Sequence, residues 1–150
     1  MILITPHLTL AEVTRTSAKA PNVPTPLHLE NIKLLAEKVF EPLRALVDAP
    51  ITVNSVYRSK EVNALTKGAS LTSQHCKGQA MDIEGTNVSN ATLGRLIKDN
   101  LTFDQLIFEK PVNGEPSWIH VSYSNTRNRK QVLIFVNNKY IPFNTNLINK

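Results

Sequence analysis

A single cysteine, Cys76, stands among 150 residues, so no intrachain disulfide can form and the fold does not depend on an oxidising compartment. No stretch approaches the roughly 18 apolar residues of a membrane span. The opening "MILITPHLTLAEVTRT" has a short apolar run but lacks a preceding basic stretch and a small-residue cleavage site, so it does not read as a signal peptide. The chain is therefore expected to be made in the cytoplasm and, should it act outside, to be carried there by something else. Internal repeats, low-complexity tracts and long linkers are absent too. Acidic residues are outnumbered, 12 against 17 basic, and the net charge of +5 favours an anionic partner such as a wall polymer, nucleic acid or a membrane surface without choosing among them. The basic residues are dispersed, and "RNRK" at 127–130 reads as a solvated loop. No aromatic-basic stripe or recognition helix supports a nucleic-acid-binding domain.

A hydrophobic fraction of 41% is that of an ordinary globular chain, and 150 residues fit one domain with a sizeable core. Thr9 and Glu12 form a T-x-x-E capping box ahead of a short helix. A second helix starts after "APNVPTP", with Thr25 as N-cap and Pro26 at its first position. Its buried stripe reads as Ile32, Leu35, Ala36, Val39, Leu43 and Leu46, and Pro42 inside that stripe should kink or split it. "ITVNSVYR" (51–58) reads as a strand, Ser59 caps a short helix through about Thr66, and "QAMDIEG" is a second strand ended by Gly85. Ser89 opens a helix carrying Leu93, Leu96 and Ile97. Four strands follow, "FDQLIFE", "SWIHVSY", "QVLIFV" and "KYIPF", the last two joined by a turn at Asn137–Asn138. Helices followed by a run of strands predict an α+β fold with a central antiparallel sheet and helices packed on one side.

Alternation in "SWIHVSY" puts Ile119, Val121 and Tyr123 on one face and Trp118, His120 and Ser122 on the other. In "QLIFE" the same parity groups Gln105, Ile107 and Glu109, and "KPVNGEPS" has the Pro and Gly to turn between the strands. Paired as a hairpin, they would bring Glu109 and His120 to one face.

The stretch "SLTSQHCKGQAMDIEG" (70–85) sets His75 and Asp82 seven positions apart. A catalytic zinc site uses three N, O or S ligands and leaves a fourth position for water. His75, Asp82 and His120 could supply them, with Glu109 as the carboxylate that takes a proton from water and hands it to a leaving amine. Spacing alone is weak support, and a histidine and an aspartate satisfied by loop hydrogen bonds is the plain alternative.

"SQHCKGQAMD" resembles the S-x-H-x-x-G-x-A-x-D signature of the zinc D-Ala-D-Ala peptidases and their relatives, with matches at Ser73, His75, Gly78, Ala80 and Asp82. That family includes phage L-alanyl-D-glutamate endopeptidases and vancomycin-resistance dipeptidases, and shares its metal-site fold with the Hedgehog signalling domain. "VYRSKEVN", "FDQLIFE" and "WIHVSY" are similar to further segments of the family, and "LTLAEVTRT" and "EPLRAL" to its small phage-type members; the similarity runs from about residue 8 to 135. The resemblance implies a DD-peptidase-like domain over residues 1–150 and a Zn2+ ion held by His75, Asp82 and His120. It places Arg58 beside the metal, to hold a substrate carboxylate or a developing oxyanion, and Ser73 in the substrate cleft. It implies a peptidoglycan stem peptide as substrate, a monomer with no nucleic-acid partner, and a lysis enzyme released through a holin or carried in a virion.

One departure matters. Many relatives carry an acid three residues before the last histidine, where this chain has Ser117. The role then falls to Glu109 or to Glu115, or the site lacks a base and the chain is a non-catalytic zinc-bearing wall-binding or virion protein. Trp118 either stacks on substrate or packs beside the site. Cys76, His7 and His28 read as plain residues, the histidines as surface or capping groups, and Arg129 as an anchor of the strand edge in preference to a contact for an anionic wall polymer.

Overall fold

In the computed structural model, which describes residues Met1–Lys150, the first helix is fixed by its cap. Strands β1 (Leu3–Thr5) and β2 (Leu8–Thr9) form a small hairpin, unforeseen in the sequence, that delivers Thr9 as N-cap of α1 (Leu10–Thr14). Thr9 and Glu12 make the reciprocal capping box: the Glu12 N–H donates to Thr9 Oγ1 at 3.1 Å and the Thr9 N–H to Glu12 Oε1 at 2.9 Å.

Helix α2 (Pro26–Leu35) begins as expected, capped by Thr25 with Pro26 in its first turn. His28 completes that cap by accepting from the Thr25 N–H, so it is the capping residue it was read to be. The chain then widens into a π-turn over Ala36–Phe40 before α3 (Glu41–Val47). Pro42 has no N–H to give to an i−4 carbonyl, and just ahead of it the Glu41 N–H reaches back five residues to Ala36 O. The extra residue turns the following helix by one position. The buried stripe therefore runs Ile32, Leu35, Ala36, Val39, Phe40 and Leu43, with Val47 packed against the core and Leu46 turned to solvent. The stripe expected from uniform periodicity was wrong at Leu46 for this reason.

Next come β3 (Ile51–Ser55), α4 (Lys60–Ala64, capped by Ser59), β4 (Ala80–Gly85) and α5 (Asn90–Asn100, capped by Ser89). Strands β5 (Gln105–Glu109), β6 (Trp118–Ser122), β7 (Gln131–Val136) and β8 (Lys139–Pro142) complete the chain's main sheet. Its order is β3-β4-β6-β5-β7-β8. The fold is α+β as expected, and β5 and β6 pair as a hairpin with Glu109 opposite Trp118. Asn137 and Asn138, both at positive φ (53° and 60°), turn β7 into β8.

The sheet is mixed rather than wholly antiparallel, because β7 lies parallel to β5. One edge of β6 is already taken by β4, so the chain leaving β6 crosses the end of β5 and returns on its far side. Asp104 and Arg129 pin that crossing. Arg129 forks onto the Asp104 carboxylate through Nε (2.9 Å) and Nη2 (3.0 Å), and its backbone N–H donates to the same group. The anchoring role expected of Arg129 is the one observed.

One face of the sheet carries Val53, Met81, Ile83, Leu106, Phe108, Ile119, Val121 and Ile134, all buried in the core with α2, α3 and α5. The opposite face carries the polar residues described below. Gly94 lets α5 approach closely: a Cβ there would stand 2.7 Å from Phe108 Cζ and 2.9 Å from Ile119 Cδ1. Replacing Gly94 with Ala should destabilise the protein by about 1–3 kcal/mol despite alanine's better helix propensity. Chemical denaturation checks this; a variant as stable as the parent would show that α5 is not seated so tightly.

Candidate metal centre

Strands β4 and β6 set Asp82 directly opposite His120. The flanking pairs Met81–Val121 and Ile83–Ile119 are buried on the other side, so the two functional side chains must point away from the core. His75 arrives from a 3-10 turn over Gln74–Lys77 just before β4. Ser73 caps this turn, its Oγ accepting from the His75 N–H at 3.2 Å, and Gly78 ends it at φ 73°. A side chain at Gly78 would meet His28 O at 2.6 Å as well as the strain of that φ, so the small residue is needed on two counts.

His75 Nδ1 lies 2.7 Å from Val56 O, and the Arg58 N–H donates to His75 O at 3.1 Å. A carbonyl can only accept, so Nδ1 carries the proton and Nε2 presents its lone pair. Burial pushes the His75 pKa down, against the pull of Asp82, which keeps the ring neutral as a ligand requires. Burial also opposes ionisation of Asp82, but the adjoining imidazoles, with His120 hydrogen-bonded to it, prevail and hold its carboxyl well below the usual range.

Nε2 of His75 is 3.3 Å from Asp82 Oδ2, and Nδ1 of His120 is 3.1 Å from Asp82 Oδ1. A lone pair and a carboxylate oxygen thus face each other, an arrangement that calls for a cation. Two ligand atoms each about 2.0–2.1 Å from one tetrahedral ion stand roughly 3.3–3.4 Å apart. One ligand atom from each of His75, Asp82 and His120 falls within 4.8 Å of the others, so this group could hold a metal ion.

The group lines a cleft of about 1150 Å³ that also takes in Arg58, Ser73, Glu109 and Trp118. Glu109 is two residues along β5 from Ile107, the cross-strand partner of His120, and therefore shares the face. It is 8% exposed, and burial pushes its carboxyl up to about 7; the nearby Asp82 charge adds to the rise, while His120 and Lys110 oppose it. Arg58 Nη2 donates to Ser73 Oγ at 3.3 Å, while its buried Nε has no partner. Burial lowers the guanidinium's pKa, partly offset by Asp82. Trp118 is half-buried, with Lys110 Nζ 5.4 Å from its ring centre.

Glu115 is elsewhere. Its two carboxylate oxygens accept from the Asn90 and Ala91 N–H groups at 3.1 and 3.0 Å, which ties it to the first turn of α5. Ser117 donates to Lys110 O at 2.8 Å. Cys76 is half-buried, outside the metal-binding group, and lines a smaller cavity with His28 and Tyr57. His7 sits at the surface, Nδ1 2.7 Å from Glu41 Oε1. The sequence reading missed Leu133, Phe135 and Tyr140, which line the far side of the cleft. Alternation in "QVLIFV" pairs Leu133 with Phe135, but only the parallel register of β7 with β5 assigns them to this face.

The model of the family described as Peptidase M15 matches residues 6–122, most of the chain. The chain belongs to that family, whose peptidases are typically zinc-dependent. No curated protein matches the chain.

Burial of Glu109 has a measurable consequence for the metal-free protein. Its pKa is raised on folding, so its contribution is full below the ordinary carboxylate range and is lost as pH rises through about 7. Glu109→Gln should remove this penalty, leaving the variant more stable by on the order of 1–2 kcal/mol above neutrality. The gain should vanish near pH ~4. Thermal melts of parent and variant across that range provide the check, and a gain independent of pH would contradict the assignment.

Proposed function

We propose that this Peptidase M15 chain is a zinc peptidase, one domain over residues 1–150, that hydrolyses an amide bond in peptidoglycan stem peptides. The observation that carries the reading is the convergence of His75, Asp82 and His120 with a buried carboxylate, Glu109, on one sheet face inside a cleft. His75 through Nε2, Asp82 and His120 would hold the ion. When bound, Zn2+ supplies acidity to a water and polarises the scissile carbonyl.

The remaining work falls to the protein's own groups. Glu109, as carboxylate, accepts the proton of the attacking water and returns it to the departing amine nitrogen. A carboxyl poised near neutrality suits both transfers, since neither protonation state is far away. Arg58, which lines the cleft, offers its guanidinium to a substrate carboxylate or to the oxygen that gains charge, and Ser73 accepts from its Nη2 and orients it. Trp118 supplies an apolar wall beside Glu109, its cross-strand neighbour. Val56 O fixes the tautomer of His75.

The net charge of +5 suits an anionic wall polymer. We place the chain among endolysin-type enzymes, acting as a monomer on the wall after release through a holin or as a virion component, with no nucleic-acid partner. The second reading, a zinc-bearing protein without turnover, is motivated by Ser117, whose hydroxyl is engaged with Lys110 O where relatives carry an acid.

Zinc-loaded protein incubated with purified sacculi should release fragments with new amine and carboxyl ends, read by mass spectrometry. Glu109→Gln should lower kcat by about 10²–10⁴-fold while still binding one zinc by calorimetry. Asp82→Asn should bind zinc far more weakly. Fragment release should also fall as pH drops and Glu109 protonates, with the midpoint at or below about 7 because a neighbouring cation stabilises the carboxylate. Bound zinc without fragments from sacculi of several wall chemistries would favour the second reading.

A further inference from the structure

Across the sheet the cleft changes character. Near β3 and β4 it is lined by Arg58, Lys67 and Lys77. At its other end, on β7 and β8, it is lined by Gln131, Leu133, Phe135, Asn138 and Tyr140, none of which carries a formal charge, with Glu109 and Lys110 beside them at the end of β5. The Asp104–Arg129 pair at this edge neutralises itself. Most of this wall lies beyond residues 6–122, the segment that the family model matches.

Tyr140 is the most prominent group there. It is 58% exposed, rests on Phe135 with ring centres 4.6 Å apart, and stands in one cross-strand row with Phe135, Glu109 and Trp118. From β6, which carries His120, to β8 is three strand spacings, or about 14 Å. Substrate bound across this distance extends about four residues' length beyond the metal centre.

We propose that this wall is a binding platform for an uncharged pyranose ring of the wall glycan, with Tyr140 as the specificity-determining residue. The side chains of β7 and β8 on it offer no charge to a carboxylate or ammonium group; the nearest charged groups, Glu109 and Lys110, stand at the end of β5. A sugar ring offers an apolar face to stack on Tyr140, and hydroxyl and acetamide edges for the amide of Asn138, two residues before it. The identity of the ligand rests on reading the cleft as a peptidoglycan peptidase site; the neutral aromatic wall does not.

The test uses Tyr140→Leu, which keeps an apolar side chain over Phe135 but removes the ring, and Tyr140→Phe, which keeps the ring. In a Glu109→Gln background, a soluble oligosaccharide of N-acetylated amino sugars is titrated by calorimetry. Tyr140→Leu should lose about tenfold or more in affinity and Tyr140→Phe should retain most of it. In the active protein, the ratio of kcat/KM for a disaccharide-bearing stem peptide to that for the bare peptide should fall about tenfold with Tyr140→Leu. Absence of oligosaccharide binding, or equal binding by parent and Tyr140→Leu, overturns the platform. An equal loss on both substrates would reassign the wall to the peptide. If parent protein cleaves no sacculi yet the calorimetric difference is found, the platform stands and the peptidase reading falls.

Discussion

The structure depends on the register between β4 and β6. Asp82 meets His120 because Met81 and Ile83 are locked against Val121 and Ile119 on the buried face. Each such side chain contributes roughly 1.5–3 kcal/mol by leaving water. A one-residue slip of either strand would expose its apolar pair and drive its acid or imidazole into the core. The apolar face of the sheet therefore enforces the geometry of the polar one. His75 is added to this pair by a separate device, a capped turn seated against the Val56 carbonyl, with Gly78 able to touch the backbone of α2.

The same cleft holds two carboxylates under opposite pressures. Both are opposed by burial, yet Asp82 has two imidazoles within 3.3 Å and stays ionised, while Glu109 lacks so close a pair and is pushed towards neutrality. Environment thus separates a ligand from a proton carrier without any difference in functional group. The third acid near the hairpin, Glu115, is withdrawn from this competition by two backbone N–H groups at the start of α5. Its position is structural, and it leaves Glu109 as the carboxylate beside the histidines.

Much of this was legible in the sequence because it is local. Caps at Thr9, Thr25, Ser59 and Ser89 depend on residues three positions apart, and strand parity places His120 and Glu109 relative to their own neighbours. The turn at Asn137–Asn138 is likewise written in two residues. What escaped was non-local or cumulative. A single π-turn ahead of Pro42 rotates everything after it, so Leu46 and Val47 exchange roles although each fits a helical pattern. The parallel pairing of β7 with β5 joins distant segments across a crossing that an ion pair between residues 104 and 129 pins, and no periodicity reports either. For the same reason the outer wall of the cleft was invisible: Leu133 and Phe135 could face either way until β7 had a neighbour.

That outer wall bears on how the cleft divides its labour. The residues that could hold a metal sit on β4, β6 and the turn before β4, whereas the neutral wall is built on β7 and β8. Glu109, on β5, lies between them and is bonded to both halves, antiparallel to β6 and parallel to β7. Changes on β8 can therefore alter what lies along the cleft without disturbing the β4–β6 register that sets the ligand geometry. Changes on β7 cannot do so as freely, since its backbone also frames Glu109: the Lys110 N–H donates to Phe135 O at 2.8 Å. On this geometry, specificity is most free to vary at the sheet's outermost strand and becomes progressively tied to chemistry towards its centre.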